Sequence, residues 1–544
     1  MTGTPTTDTL SPRQIRLIIG GLLLVLLLAA LDSTIVATAL PTIVGEMGGL
    51  THLSWVVTAY LLAQTVVTPL YGKLGDLYGR KKVVQVGIVI FLIGSALCGL
   101  AQSMTQLIVF RAVQGLGGGG LIVTTQAVIG DVVPPRDRGR YQGIFGAVFG
   151  LSSIAGPLIG GYFTTHLSWR WIFYINVPVG IVAILVLAAT LPSVSKRVSH
   201  AIDYAGAALL ATSLSSIIVV TDLGGLTYPW TSSFILSLIA VAIVSTIAFI
   251  FVENRASEPV LPLRLFRNRT FVISVLVGLI VGFALFGSVT YLPLFMQVVK
   301  GDSPTASGLR MLPMMGGMLI SSIISGQLIS RKGKYKIFPI VGTAVMVLGL
   351  YLLSGMHAET SLGTTALLML ILGLGLGMVM QVLVLAAQNG VDYKDLGVAT
   401  SGATLFRLIG GSVGTAVLGA IFASRLHDNL ARNLPVSVAG SAADAGANVS
   451  PAAIAALEPA VRQLYTSSFT ASLNSVFLIA TFIGLAGFVL SWFLPETPLR
   501  DSVAARAGTV NDEIGEVFPR PGDEEDCVDD ERNESEKMLA KAHK

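Results

Sequence analysis

Long apolar runs alternate with short charged or turn-rich breaks along most of the chain. A helix needs about 20 apolar residues to cross the hydrocarbon of a bilayer. A backbone in lipid must satisfy its own N–H and C=O groups, so runs of that length read as helices. They fall near 15–39, 53–72, 83–101, 107–129, 140–163 and 169–190, then 203–222 and 232–252. Six more lie near 270–298, 306–329, 336–355, 362–385, 398–423 and 469–493. The pattern predicts an all-α membrane protein with fourteen transmembrane helices: a six-helix half over 15–190, two inserted helices over 203–252, and a second six-helix half over 270–493. Residues 1–14 precede the first span. Residues 424–468 form an expected outer loop rich in Ala, Ser and Gly, with room for a short helix from Pro451 to about Tyr465. The tail over 500–544 mixes acids such as Asp523, Glu524 and Glu525 with bases and few apolar residues, a composition that reads as a disordered extension.

The breaks also set an orientation. Lys73, Arg80, Lys81 and Lys82 follow the second span; Arg136, Arg138 and Arg140 follow the fourth; Arg331, Lys332, Lys334 and Lys336 follow the tenth. The short loops on the other side and their immediate flanks offer only Arg170, Lys300 and Arg310. Basic loops stay in the cytoplasm, which places both termini there.

Composition removes the soluble alternatives. Charged residues make up 12% of the chain and hydrophobic residues 53%, against about 25% charge in ordinary soluble domains. The net charge of +4 gives no argument for nucleic acid. Cys98 and Cys527 provide neither a disulfide framework nor a metal-ligand spacing, and no metal, cofactor or catalytic cluster is expected. The first span follows Arg13 and Arg16 but is too long for a signal peptide.

A short repeat relates the two halves. Gly72-Lys-Leu-Gly-Asp-Leu-Tyr-Gly79-Arg-Lys-Lys82 aligns without gaps to Gly326-Gln-Leu-Ile-Ser-Arg-Lys-Gly333-Lys-Tyr-Lys336, matching at Gly, Leu, Gly and the final Lys. Each copy follows the second helix of its half. Paired halves that rock about a central site are a common transporter plan.

Four segments carry candidate chemistry. In Gly72–Lys82, glycines permit a tight turn and close helix approach. Asp76 suits an Arg partner or a helix N-terminus; the plainer reading is a positive anchor with an incidental acid. The fifth span contains Gly143, Gly146, Gly150, then Gly156-Pro157-Leu-Ile-Gly160-Gly161, small residues that let helices pack closely, with a proline able to kink the run. The fourth span opens Arg111-Ala-Val-Gln114-Gly115-Leu-Gly117-Gly-Gly-Gly120. Gly115, Gly117 and Gly120 match G-x-G-x-x-G, but a dinucleotide site needs a preceding strand, and none is expected. There is no phosphate-binding G-x-x-x-x-G-K-[ST], so ATP is not the fuel. Asp32 interrupts the first span at a cost of about 2.5–3.5 kcal/mol on insertion scales, which marks an intramembrane acid as functional by default; capping or packing near the interface is the alternative. Arg407 is a further ion inside a span, either gating or snorkelling to the interface.

These segments, in this order, resemble the major facilitator superfamily, and within it the fourteen-helix drug:proton antiporter (DHA2-type) multidrug efflux family. The resemblance runs from about Arg13 to Glu496. It implies an inner gate latch at Gly72, Gly75, Asp76, Gly79, Arg80 and Lys81. It implies an antiporter helix at Gly150, Gly156, Pro157, Gly160 and Gly161, proton coupling through Asp32 and Arg111, and gating contributions from Gln114 and Arg407. One departure is Ala37, where many relatives carry Asn. The expected protein is no enzyme. It is a proton-coupled antiporter of the bacterial cell membrane, acting as a monomer in the lipid bilayer and exporting lipophilic cationic drugs or other small amphiphilic compounds by alternating access. Export of lipids, siderophores or self-made antibiotics, or proton-coupled nutrient import, are the rival expectations.

Overall fold

The computed structural model describes residues 12–47, 53–192, 203–225, 228–433, 454 and 458–499. Within them the chain is helical: α1 (Pro12–Met47), α2 (Leu53–Tyr78), α3 (Arg80–Leu100), α4 (Met104–Val132) and α5 (Pro135–His166), then α6 (Trp171–Thr190, interrupted at Ile175). The inserted pair is α7 (Tyr204–Leu223) and α8 (Ser233–Glu253). The second half comprises α9 (Arg269–Val298), α10 (Ala306–Lys332, interrupted at Arg310 and Met311), α11 (Ile337–Leu353), α12 (Leu362–Asn389), α13 (Leu396–Asn433) and α14 (Pro459–Trp492).

Twelve candidate membrane spans are counted among the described residues; α2 and the 17-residue α11 lie outside that count. Several helices outrun the apolar runs that signal them. The first extends to Met47, α13 to Asn433, and α14 begins at Pro459. The expected outer loop over 424–468 is therefore helical at both ends. Tyr465, expected to close a separate short helix, belongs to α14. Amphipathic extensions such as these dilute the apolar signal without breaking the helix. The rest of that loop, including Pro451, and the tail over 500–544 lie outside the described residues, apart from Ile454.

Starts are set by local chemistry. Ser103, Asp203, Ser232, Asn268 and Ser361 each accept a hydrogen bond from a backbone N–H three residues on, satisfying one of the donors a helix leaves open. The turns after the second helix of each half use their glycines alike. Gly79 has φ 89° and Gly333 φ 69°, a region costly for any residue with a Cβ. The two glycines are alike in φ alone: ψ is 131° at Gly79 and 9° at Gly333.

Each half has its own core. Leu22, Ile88, Phe91, Leu121, Phe145 and Leu187 interlock in the first; Phe295, Met346, Leu372, Phe422, Phe469 and Phe477 do so in the second. The inserted pair packs through Leu210, Leu214 and Phe249 against Phe271 and Leu405 of the second half. It is also tied to α2, where Thr58 donates to Asp222, and in the segment after α8 Glu258 lies 2.6 Å from Lys73 Nζ. Its outer surface exposes Ile243, Val244, Ile247 and Phe251, an apolar face suited to lipid.

Candidate functional site

Glycines bring three helices together around one carboxylate. A Cβ on Gly94 of α3 would lie 2.5 Å from the Gln114 backbone, and one on Gly115 of α4 would lie 2.4 Å from the Tyr60 carbonyl of α2. Gly117 and Gly120 meet Phe91 and Tyr71 equally closely. The run that matches a nucleotide fingerprint is thus a packing surface that seats α4 between α2 and α3.

In this compact region Asp32 of α1 is wholly buried and Arg111 of α4 is 1% exposed. Their Oδ2 and Nη1 atoms are 2.7 Å apart. Gln114 Nε2 donates to Asp32 Oδ1 at 2.8 Å, and Asn176 Nδ2 of α6 donates to the same oxygen at 3.2 Å. Arg111 also donates to the Gln114 side-chain oxygen at 2.8 Å and to the Val56 carbonyl at 3.3 Å. Its guanidinium stacks 4.1 Å from the Tyr60 ring centroid. A second layer follows: Asn176 donates to Ser95 Oγ at 3.0 Å, and Ser95 donates to the Phe173 carbonyl at 2.8 Å. Two opposite charges this deep persist because each is paired and hydrogen-bonded; removing one partner costs about 3–5 kcal/mol.

Asp32, Arg111 and Gln114 are thus one site, although sequence spacing alone did not join them. Asn176, Ser95 and Tyr60 were not anticipated. Asn176 had a readable signal, an amide followed by Val177 and Pro178 within an apolar run, and polar groups in a span repay a search for partners. Arg407 belongs elsewhere. It is half-buried in α13 and makes no hydrogen bond or ion pair with a described residue; its carbonyl lies where a Cβ on Gly282 of α9 would stand.

The fifth helix connects this site with the other half. Thr34, two residues from Asp32, donates to the Ser152 carbonyl at 3.0 Å. A Cβ on Gly156 would lie 2.2 Å from Thr34 Oγ1, and one on Gly160 would lie 3.0 Å from Ile35. Gly150 is only loosely met by Met315, Gly161 faces open space, and Pro157 is inside the helix. Nearer its start, α5 presses on α10: a Cβ on Gly139 would lie 2.8 Å from the Gly326 carbonyl, and one on Gly143 2.7 Å from that of Ser322.

At the basic end of the bundle the halves touch. A Cβ on Gly72 would lie 2.6 Å from the Gly397 carbonyl. Asp76 accepts from the Gly397 and Val398 N–H groups, both at 3.0 Å, and so caps the first turn of α13. Arg80 reaches Asp76 at 2.9 Å and Asp131 of α4 at 2.8 Å. Lys81 instead donates to the Ala188 and Leu191 carbonyls at the end of α6. Of the six residues expected to latch this end, Gly72 and Asp76 meet the second half; Arg80 braces Asp76, Gly79 forms the turn, Lys81 closes a helix end within its own half, and Gly75 faces only Arg80.

Twelve helices long and apolar enough to cross a membrane among the described residues make this a multi-pass membrane protein. The sequence profile of the Major Facilitator Superfamily matches residues 22–415. The chain is 40% identical over 511 residues to the multidrug transporter protein MdtP of Bacillus subtilis, covering 90% of this chain and 94% of that one. It is 43% identical over 520 residues to an uncharacterized MFS-type transporter of Mycobacterium tuberculosis, covering 96% and 75%. In three dimensions it is similar to the proton:xylose symporter XylE, with a TM-score of 0.61 at 14% identity, over 90% of this chain and 97% of that one. The chain belongs to the major facilitator superfamily and is a transporter, not an enzyme.

Proposed function

We propose that this protein is a proton-coupled antiporter that exports small amphiphilic compounds across a bacterial cytoplasmic membrane. In this reading all fourteen helices span, α2 and α11 included, and both termini face the cytoplasm. The observation that carries it is the Asp32–Arg111 pair, buried and 2.7 Å apart, beside the Gly156–Gly160 face of α5. An acid held this deep by a single cation is a natural place for a proton to arrive and leave. Protonation neutralises Asp32 and frees Arg111 from it. The consequence reaches α5 through Thr34 and Ser152, and α5 bears on α10 of the other half through Gly139 and Gly143. Gly72 and Asp76 hold the cytoplasmic end shut in the conformation described here, so alternating access requires that contact to break.

The driving force is adequate. A membrane potential supplies about 2.3 kcal/mol per charge per 100 mV, enough for roughly a fiftyfold gradient per proton at that potential. Export of drugs is favoured by the likeness to a protein named as a multidrug transporter. Uptake of ethidium into everted vesicles with an acid interior tests it. The expected result is accumulation that collapses when nigericin dissipates the pH gradient. Absence of gradient-driven uptake removes the cationic-drug reading and moves lipids and natural products to the front.

A further inference from the structure

The surfaces where the halves meet hold amides with no protein partner. Gln142 of α5 is 1% exposed, and neither its Nε2 nor its Oε1 finds a hydrogen-bond partner among the described residues. The same holds for Oε1 of Gln381 on α12, 6% exposed, and Oγ of Ser322 on α10. These three residues border one cavity of about 10 Å³ between α5, α10 and α12, room for about one water molecule. Across the neighbouring seam, Gln126 of α4 and Gln388 of α12 also leave their Oε1 atoms unpartnered, although Gln388 Nε2 donates to the Gln126 carbonyl at 3.2 Å.

Folded proteins leave few buried polar atoms unsatisfied, and each calls for an explanation. Misfitted packing is a poor one here. On either side of Gln142, Gly139 and Gly143 bring the α5 and α10 backbones into direct contact. A surface that met only protein would be stable with apolar side chains at these places. A surface that is dry in one conformation and wet in the other keeps its amides, because they are solvated whenever the halves part.

We infer that Gln142 and Gln381, with Ser322, line the transport path at the basic end and hydrogen-bond to substrate when that end opens. None of the three is charged. They therefore fit neutral polar groups, such as carbonyl, amide or hydroxyl, on an otherwise apolar compound. The inference rests on the transport reading above and narrows it: this part of the path selects hydrogen-bonding groups and is indifferent to cationic charge.

Cysteine labelling tests it in the full chain. With Cys527→Ser as background and buried Cys98 retained, Gln142→Cys and Gln381→Cys are exposed to a membrane-impermeant maleimide in everted vesicles, with Arg331→Cys as the accessible control. The expected result is slow labelling at 142 and 381 that rises at least fivefold when Asp76→Asn weakens the closed end. Failure of both positions to label in the Asp76→Asn background, with the control labelled, overturns the inference. Gln142→Leu supplies a second readout. A path-lining amide predicts at least a threefold rise in KM for chloramphenicol, which carries amide and hydroxyl groups, and none for tetraphenylphosphonium, which carries no hydrogen-bonding group. Equal changes for both, or none for either, mean a packing role and count against it. Latch-dependent labelling without any ethidium export retains this inference and removes the cationic-drug reading; export without labelling does the reverse.

Discussion

Asp76 and Ser330 hold the same place in the repeat, and each meets the early turns of the fifth helix of the opposite half. Asp76 takes the Gly397 and Val398 N–H groups of α13 on its two oxygens. Ser330 takes the Arg140 N–H of α5 on its hydroxyl at 3.2 Å and the Arg136 guanidinium on its carbonyl at 3.1 Å. The pseudo-symmetry of the chain thus produces two clasps of unequal strength. One is a carboxylate at a helix N-terminus, favoured by the helix dipole; the other uses neutral oxygens.

That inequality predicts which clasp governs opening. Replacing a capping carboxylate by Ala costs about 0.5–2 kcal/mol, so Asp76→Ala is expected to shift the closed-to-open ratio about 2- to 30-fold. Ser330→Ala should shift it less. Spin labels at the exposed Lys82 and Lys334 read the distance between halves directly. A longer, broader distribution for Asp76→Ala than for Ser330→Ala is expected, and identical distributions would refute the ranking.

The buried pair makes a stability prediction that does not depend on transport. Arg111→Gln leaves Asp32 without its counter-ion and should destabilise the protein by about 3–5 kcal/mol. Adding Asp32→Asn should restore part of that loss, with a coupling energy of about 0.5–3 kcal/mol. Thermal melting in detergent measures the cycle. Simple additivity would mean that the two residues do not act as a pair.

How much of this was legible beforehand follows from the range of each signal. The helical runs come from local hydropathy, which twelve of the described helices keep over a membrane-spanning length. The turns at Gly79 and Gly333 are local too, and their shared spacing exposed the repeat. Asp32, Arg111 and Gln114 were each conspicuous, but their convergence depends on Gly94 and Gly115 letting α3 and α4 approach α2, a matter of three-dimensional packing. Asn176 and Ser95 are ordinary residues until α6 and α3 are placed beside α1. Lys81 stands among the latch residues in sequence, but helix direction turns it toward α6, where it donates to the Ala188 and Leu191 carbonyls.

Glycines of the fifth helix should differ sharply in tolerance. A Cβ on Gly156 meets Thr34 Oγ1 at 2.2 Å, whereas one on Gly161 meets nothing within 4 Å. Overpacking costs about 1–3 kcal/mol, so Gly156→Ala should lower the melting temperature and impair transport. Gly161→Ala should melt at or slightly above wild type. The reverse order would mean that α1 and α5 do not pack as described.

At the far end of α1, beyond the apolar span that ends at Val36, Glu46 accepts from Arg170 Nη1 at 2.7 Å and from Trp169 Nε1 at 2.8 Å. Hydrogen bonding to Arg170, then to Trp169, holds its carboxyl below the ordinary value of 4.5. A depressed carboxyl contributes stability in full above its unfolded pKa and loses it as pH falls through the folded value. Melting temperature should therefore decline below about pH 4.5 less steeply in Glu46→Gln than in wild type. The pair is half-exposed and screened by solvent, so the effect is small; parallel curves would remove it.

Coupling through Asp32 is read most directly by proton movement. Proteoliposomes loaded with a pH-sensitive dye and given external ethidium compare wild type with Asp32→Asn at matched melting temperature and orientation. Coupled antiport predicts that ethidium entry alkalinises the lumen for wild type, and that the variant binds ethidium but moves no protons. Proton movement in Asp32→Asn equal to wild type would contradict the assignment of coupling to this ion pair.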